Sequence, residues 1–102
     1  MVVGEHEADA LACPAGKVIK SIPFAAFGTP TGSCPGQLAH DPKCDAANVS
    51  EILSTACIGL QRCPVEPHCD HFICSLVPGA PTTADPCNMV VKHLDAKVEC
   101  EQ

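Results

Sequence analysis

The sequence contains no tryptophan and no tyrosine, so three phenylalanines are the whole aromatic content of its 102 residues. A core of this composition has to rest on aliphatic packing. Single domains mostly contain about 50–200 residues, so a chain of this length has room for one of them. We therefore predict that residues 1–102 form a single domain with a modest core.

Basic residues are also scarce: six lysines and arginines face twelve aspartates and glutamates, which leaves a formal net charge of −6. Nucleic acids and anionic lipids are bound by basic stripes that neutralise phosphates. A run of about 18 apolar residues, which a membrane-spanning helix requires, is missing as well. The sequence thus predicts neither a nucleic-acid partner nor insertion into a membrane.

Cysteine, in contrast, is abundant, with nine in the chain. This density is typical of secreted domains in which disulfides compensate for a small core. The start of the chain is acidic where a signal peptide would be basic and then apolar, so we expect one module of a longer secreted protein. The sequon Asn48-Val49-Ser50 fits the same route, and Asn48 is a candidate glycosylation site, although such triplets also arise by chance.

Metal binding and catalysis are the weaker hypotheses. The paired C-x-x-C knuckles of zinc domains are absent. The loop His68-Cys69-x-His71-x-x-Cys74 has the donors to hold a zinc ion, but in an oxidising compartment a Cys69–Cys74 disulfide is the stronger competitor. No motif pairs a nucleophile with a base. We predict no metal, no cofactor and no enzyme activity.

The order of secondary structure follows from the side-chain pattern. Residues 18–27 are rich in β-branched and aromatic types and predict a strand that stops at a Gly/Pro cluster. A helix is predicted next, with Asp45 as its cap and Gly59 as its stop, because apolar residues recur there at helical spacing: Val49, Ile52, Leu53 and Ala56. Residues 64–84 are too proline-rich for regular structure and predict a long inserted loop. The tail alternates as a closing strand, with Val90, Leu94, Ala96, Val98 and Cys100 on its inner face and Met89, Val91, His93, Asp95, Lys97 and Glu99 on the other.

A series of motifs runs through the chain in a fixed order. They are Leu11-x-Cys13-x-x-Gly16, Ile22-x-Phe24-Ala25-x-Phe27-Gly28-Thr29-Pro30-x-Gly32-x-Cys34, Cys57-Ile58-Gly59-x-x-x-Cys63, Asp85-Pro86-Cys87 and Lys92-x-Leu94-x-x-x-x-x-Cys100. Together they resemble the galactose/rhamnose-binding lectin domain of the sea-urchin-egg-lectin type. Residues 24–32 are most similar to the version at the C-terminus of plant-type β-galactosidases.

The resemblance implies a mainly β (α+β) fold, a small five-stranded antiparallel β-sandwich with one α-helix that is stapled by disulfides. Its implied bridges are Cys13–Cys100, Cys44–Cys87 and Cys57–Cys63. The family's first cysteine is replaced by Gly4, so Cys34 is expected to carry a free thiol. Cys69 and Cys74 form the extra pair of the inserted loop, and a bridge from Cys34 to either of them is the alternative.

The resemblance also implies a sugar site. In this family a glutamate, a Tyr-Gly-Arg turn, an aspartate and a lysine hold the ligand, and the matching positions are Glu5, Phe27, Gly28, Asp85 and Lys92. Here Phe27 lacks the hydroxyl, Thr29 replaces the arginine, and Met89 stands where a small glycine is expected and would intrude. We therefore expect a weakened site.

Each of the polar candidates has another interpretation. Asp85 precedes a proline and is equally typical of a turn cap. Glu5 lies near the chain start and is solvated unless that segment docks as a strand. Lys92 falls on the apolar face of its strand, so either it lies at an open rim, facing a ligand or a carboxylate, or the inward pattern begins only at Leu94.

Two functions follow from these observations. The first is a non-catalytic extracellular module, at a cell wall or cell surface, that binds galactose- or rhamnose-like glycans. The second is a protein-interaction module of a secreted or surface adhesion protein that has lost sugar binding and uses the inserted loop. In either case we expect the isolated domain to be monomeric.

Overall fold

The computed structural model describes residues 1–32 and 38–102, where eight strands and one helix follow one another. They are β1 (Val2–Gly4), β2 (Asp9–Ala12), β3 (Val18–Gly28), α1 (Val49–Cys57), β4 (Arg62–Val65), β5 (His68–Asp70), β6 (Ile73–Ser75), β7 (Thr83–Ala84) and β8 (His93–Glu101). The prediction of a mainly β chain with a single helix is confirmed for the part of the chain that the structure describes.

Two antiparallel sheets supply the five expected strands. One has the order β1-β8-β3 and the other the order β2-β4. We call these five strands the frame. Because β8 is the central strand of the larger sheet, it ties the start of the chain to its end.

The third sheet, β5-β6-β7, lies within residues 64–84 and was not predicted. Its strands are only two or three residues long and fit between the prolines, which stand outside them. Proline cannot donate to a sheet ladder and is therefore confined within sheets to edges and bulges, and the short strands of this sheet avoid it. The prediction that this stretch lacks regular structure is therefore wrong, and we call β5 and β6 the inserted hairpin.

The hydrophobic core draws side chains from both sheets of the frame and from α1. Phe27 of β3 lies opposite Leu94 of β8, and both are fully buried. The helix turns Val49, Leu53 and Cys57 into the same cluster. The apolar residues whose spacing predicted α1 thus form the face of the helix that packs against the core.

The start of α1 differs from the prediction. Its N-cap is Asn48, in the left-handed conformation and without a side-chain cap bond, rather than Asp45. Asp45 instead forms an isolated β-bridge with Gly28, and its Oδ1 lies 2.9 Å from Nδ1 of His40. Because this bridge holds the backbone extended, the helix begins only after three further residues. Gly59 follows the helix end as predicted, with φ 93°.

Four disulfides are present, and they join the pairs that the resemblance and the loop analysis indicate. The bridges are Cys13–Cys100, Cys44–Cys87, Cys57–Cys63 and Cys69–Cys74. The first closes 87 residues of chain and the last only 5. Cys34, for which a free thiol was expected, lies outside the described residues.

The predicted alternation of the tail holds for one face of β8 only. Leu94 and Ala96 are buried as expected, but Val90, predicted on the same face, precedes β8 and is 45 % exposed. Asp95, predicted on the opposite face, is fully buried. It lies between Val2 and Ala26 on the neighbouring strands, and Ala26 is equally inaccessible. Neither carboxyl oxygen of Asp95 has a partner among residues 1–32 and 38–102.

Candidate functional site

A cavity of about 350 Å³ opens where residues 85–92 meet the segment after β1 and the inserted hairpin. Its polar floor is made by Glu5, Asp85 and Lys92, which we call the cavity base. Its mouth is lined by the apolar side chains of Phe72, Met89 and Val91, which we call the cavity rim. The two sets differ in burial, charge and origin in the sequence.

Glu5 reaches the base because β1 docks on β8. Directly after β1, the N–H of Glu5 donates to the carbonyl of Lys92 at 3.0 Å. The N–H of Lys92 in turn donates to Oε1 of Glu5 at 3.2 Å. Backbone and side chain are therefore both held, and Glu5 lies in a docked segment rather than a frayed one.

Lys92 is the centre of the base, with only 2 % of its side chain exposed. Its Nζ donates to the carbonyls of Val90 at 2.7 Å and Cys87 at 3.1 Å. It also lies 3.2 Å from Oδ1 of Asp85 and 3.7 Å from Oε1 of Glu5. Two of the three N–H donors of the ammonium are therefore used by backbone carbonyls, and its charge is paired with two carboxylates.

The position of Lys92 agrees with neither sequence interpretation in full. It faces carboxylates, as one of them proposed, but it is buried and not at an open rim. It also precedes β8, which begins at His93. Its charge therefore acts inward, on the carboxylates and on the loop that surrounds it.

Asp85 combines the two roles that the sequence left open. Its Oδ1 accepts a hydrogen bond from the N–H of Cys87 at 3.0 Å, which caps the turn at Pro86. The same atom pairs with Lys92 in the cavity base. In addition, its backbone N–H donates to the carbonyl of Phe72 at 2.9 Å, which fastens the inserted hairpin to the loop that carries the base.

Phe27 and Gly28 do not line the cavity. Phe27 is fully buried in the core, and Gly28, with φ 147°, packs so closely that a Cβ would collide with the carbonyl oxygen of Cys44. Gly28 lies opposite His93, next to Lys92. The structure thus brings Glu5, Asp85 and Lys92 together and leaves the other two candidates in the frame behind them.

Thr29, which replaces the family's arginine, is engaged elsewhere. Its hydroxyl donates to Oδ2 of Asp41 at 2.7 Å. This bond, followed by one from the N–H of Lys43, holds the pKa of the Asp41 carboxyl below its usual value. The side chain of Thr29 therefore stabilises the turn after β3.

Most of the cavity rim was not anticipated from the sequence. Phe72 is 67 %, Met89 95 % and Val91 87 % exposed. Phe72 and Met89 also have positive φ angles of 68° and 64°, a conformation that bulky residues rarely adopt. In the sequence, such a rim is indicated by a large apolar side chain in a short segment bounded by cysteines or prolines, because a segment of this kind cannot bury that side chain.

The structure also bears on the zinc hypothesis, on the sequon and on membrane-spanning helices. The sulfurs of Cys69 and Cys74 form a disulfide and lie within 4.8 Å of the Asp85 carboxylate. Thiolates are the ligands zinc requires, and this bridge consumes them. Asn48 of the sequon is exposed. Across residues 1–32 and 38–102, no helix has the length and apolarity needed to cross a membrane.

Comparison with known families identifies this disulfide-fixed frame as a lectin-type domain. Residues 11–100 match the D-galactoside/L-rhamnose binding SUEL lectin domain, and the chain belongs to that family. The match begins within β2 and ends within β8, so it covers β3, α1, β4 and all four disulfides, whereas β1 and Glu5 precede it.

Plant β-galactosidases contain similar segments. The chain is 34 % identical over 91 residues to β-galactosidase 6 of Oryza sativa subsp. japonica, a match that covers 88 % of the chain and 9 % of that protein. β-Galactosidase 8 of Arabidopsis thaliana is 36 % identical, and β-galactosidase 14 of the same plant 33 % identical, with the same coverage. The chain thus spans about 9 % of the length of these relatives.

Proposed function

We propose that the chain is a non-catalytic, extracellular carbohydrate-binding module of a larger secreted protein and binds neutral sugars of the galactose or rhamnose class weakly. The observation that carries the proposal is the cavity base: Glu5 and Asp85 meet at one cavity in a chain of a lectin family. The four disulfides are consistent with an oxidising, extracellular location.

The base suits neutral sugars because carboxylate oxygens accept hydrogen bonds from vicinal hydroxyls. Two of the three N–H donors of Lys92 are already used by backbone carbonyls and its side chain is buried, so the side chains of the base offer a ligand mainly acceptors. Each hydrogen bond that is not made costs about 0.5–1.5 kcal/mol. A binding free energy of about −4 kcal/mol, a millimolar dissociation constant, is therefore expected.

A catalytic role is disfavoured by the same contacts. Glu5 and Asp85 share one ammonium within a buried network, and both lie close to it. Both side chains also accept hydrogen bonds from backbone N–H groups, Glu5 from Lys92 and Asp85 from Cys87, so their oxygens serve structural contacts.

The proposal is tested by NMR titration of the isotope-labelled chain with galactose and rhamnose. We expect saturable millimolar shifts confined to the cavity, weakened at least threefold by Glu5→Gln. The matched control is Glu99→Gln, because the Glu99 carboxylate accepts a bond from Ser21 outside the cavity. If neither sugar produces saturable shifts at the cavity, the proposal is wrong.

A second candidate is a protein-interaction module of a secreted or surface adhesion protein. The exposed apolar side chains of the cavity rim favour it, since contiguous apolar patches are typical of interaction sites. It predicts that both sugar titrations are silent and that residues 64–84 are needed for partner binding.

The proposal also includes three features of the isolated chain. It is a monomer, Cys34 carries a free thiol because the other eight of nine cysteines are in disulfides, and Asn48 accepts a glycan. Mass spectrometry without reduction is expected to find a single alkylatable cysteine. Three or more in the folded protein would contradict the bridge count.

A further inference from the structure

The inserted hairpin presents one aromatic side chain that the fold does not require. Phe72 is 67 % exposed and has a φ of 68°, so neither core packing nor backbone preference explains a phenylalanine at this position. Bulky residues in the left-handed region cost free energy and are concentrated at functional sites. Its ring lines the mouth of the same cavity whose base holds Glu5 and Asp85.

The position of Phe72 is fixed by contacts on both sides of the turn. The Cys69–Cys74 bridge closes the hairpin, and the carbonyl of Phe72 accepts a bond from Asp85 at 2.9 Å. The N–H of His6 donates to the carbonyl of Pro67 at 2.7 Å, which anchors the start of the insertion beside Glu5. The backbone that carries the Phe72 ring is therefore held in place before any ligand binds, which lowers the entropic cost of binding.

We propose that Phe72 forms a second sugar subsite, at which its ring stacks on the C–H face of the neighbouring unit of an oligosaccharide. This inference rests on the proposed function, in which the cavity base holds the first unit. Sugar rings are amphipathic: their hydroxyls match the carboxylates of the base, and their C–H faces match an aromatic platform. The ligand class is thus a neutral oligosaccharide of at least two units.

The cavity has the size and the charge for this ligand. Its volume of about 350 Å³ falls in the range of about 300–1,000 Å³ found for drug-sized ligands, which is more than a single hexose fills. Asp70 and Asp85 place carboxylates at the same cavity as Phe72, so an anionic glycan would be repelled there. A neutral glycan meets apolar and acceptor groups side by side.

The experiment compares galactose with a neutral galacto-oligosaccharide on the parent chain and on two variants. Phe72→Ala removes the platform. Ile73→Ala is the matched control, because Ile73 is the next residue of the hairpin, is 53 % exposed and does not line the cavity. We expect the parent to bind the oligosaccharide at least fivefold more tightly than galactose, Phe72→Ala to lose that advantage, and Ile73→Ala to keep it.

A second measurement does not depend on a variant. In the complex with the parent chain, nuclear Overhauser effects are expected between the Phe72 ring protons and C–H protons of the second sugar unit.

Three results would overturn the inference. Equal affinities of the parent for galactose and the oligosaccharide reject the subsite and leave the proposed function standing. An oligosaccharide advantage that survives in Phe72→Ala assigns the second contact to another residue. Silence with both ligands rejects the subsite together with the proposed function, and the platform would then be a contact for a protein partner.

Discussion

The base and the rim of the cavity lie beside each other but are built on opposite principles. The base is a buried network in which one ammonium, two carboxylates and two carbonyls contact each other. The rim is apolar and exposed, and two of its three members hold an unfavourable backbone conformation. The base is thus stabilised by its own contacts, whereas the rim depends on the frame and the hairpin disulfide.

The difference between base and rim indicates where a substitution can change binding specificity with little loss of folding stability. A substitution in the base leaves charges buried without partners, so it threatens the fold as well as the ligand. A substitution in the rim exposes nothing further to water and leaves the core intact. Under the proposed function, a substitution in the rim would therefore change glycan selection at less cost to the fold than a substitution in the base.

The largest expected effect contrasts a disulfide of the frame with that of the rim. Removing Cys13–Cys100, which closes 87 residues, as Cys13→Ala/Cys100→Ala should lower the free energy of unfolding by about 4–5 kcal/mol. Removing Cys69–Cys74, which closes 5 residues, as Cys69→Ala/Cys74→Ala should cost about 2 kcal/mol. Urea unfolding measures both.

If the two double variants lose the same stability, the hairpin belongs to the cooperative unit of the frame and the contrast between base and rim fails. If the first variant has no folded baseline, its loss exceeds the free energy of unfolding of the parent chain, which would then lie at the low end of the roughly 5–15 kcal/mol typical of domains. NMR spectra of the second variant should then still show dispersed signals from β3 and β8.

The next largest effect concerns the ammonium of the base. Lys92→Met keeps the length of the side chain but leaves the carboxylates of Glu5 and Asp85 without a cation, which should cost about 3–5 kcal/mol. Lys97→Met, on the exposed face of β8, is the matched control and should change stability by less than about 0.5 kcal/mol. Urea unfolding at neutral pH gives both values.

Equal stability of the two lysine variants would show that the network contributes little and that the Lys92 charge is available to a ligand. In that case Lys92→Met should weaken galactose binding while the fold stays intact. The combination of a large stability loss at Lys92 and none at Lys97 is what the buried contacts predict.

The sequence allowed much of the frame to be predicted, because its signals are periodic or covalent. The apolar spacing of α1, the β-branched run of β3 and the order of the cysteine motifs each lead to the observed element or bridge. The same resemblance indicated Glu5, Asp85 and Lys92. Glu5 is 87 residues from Lys92 in the chain and meets the other two because β1 pairs with β8.

The failures have a common physical cause, which is that tertiary contacts override local patterns. Asp45 has the chemistry of a helix cap, but its backbone bridges to Gly28. Asp95 alternates outward, yet it is buried because β8 is the central strand of its sheet. Phe72 in the inserted hairpin carries no periodic signal at all, so its exposure at a cavity is visible only in three dimensions.

The smallest expected effect tests whether the rim stores backbone strain. Met89 has a φ of 64° and is 95 % exposed, so Met89→Gly removes a conformational penalty of about 1–2 kcal/mol without opening a cavity in the core. Glycine returns about 0.5–1 kcal/mol of this as lost chain entropy, which leaves a net gain of about 0.5–1 kcal/mol. Val91→Gly is the matched control, because Val91 is an exposed rim residue without a positive φ, and there glycine should only destabilise. Opposite signs in urea unfolding would establish that the rim is strained at Met89 in particular; a loss of stability in both variants would mean that Met89 makes contacts that outweigh its backbone, and the rim would then resemble the base more than the comparison allows.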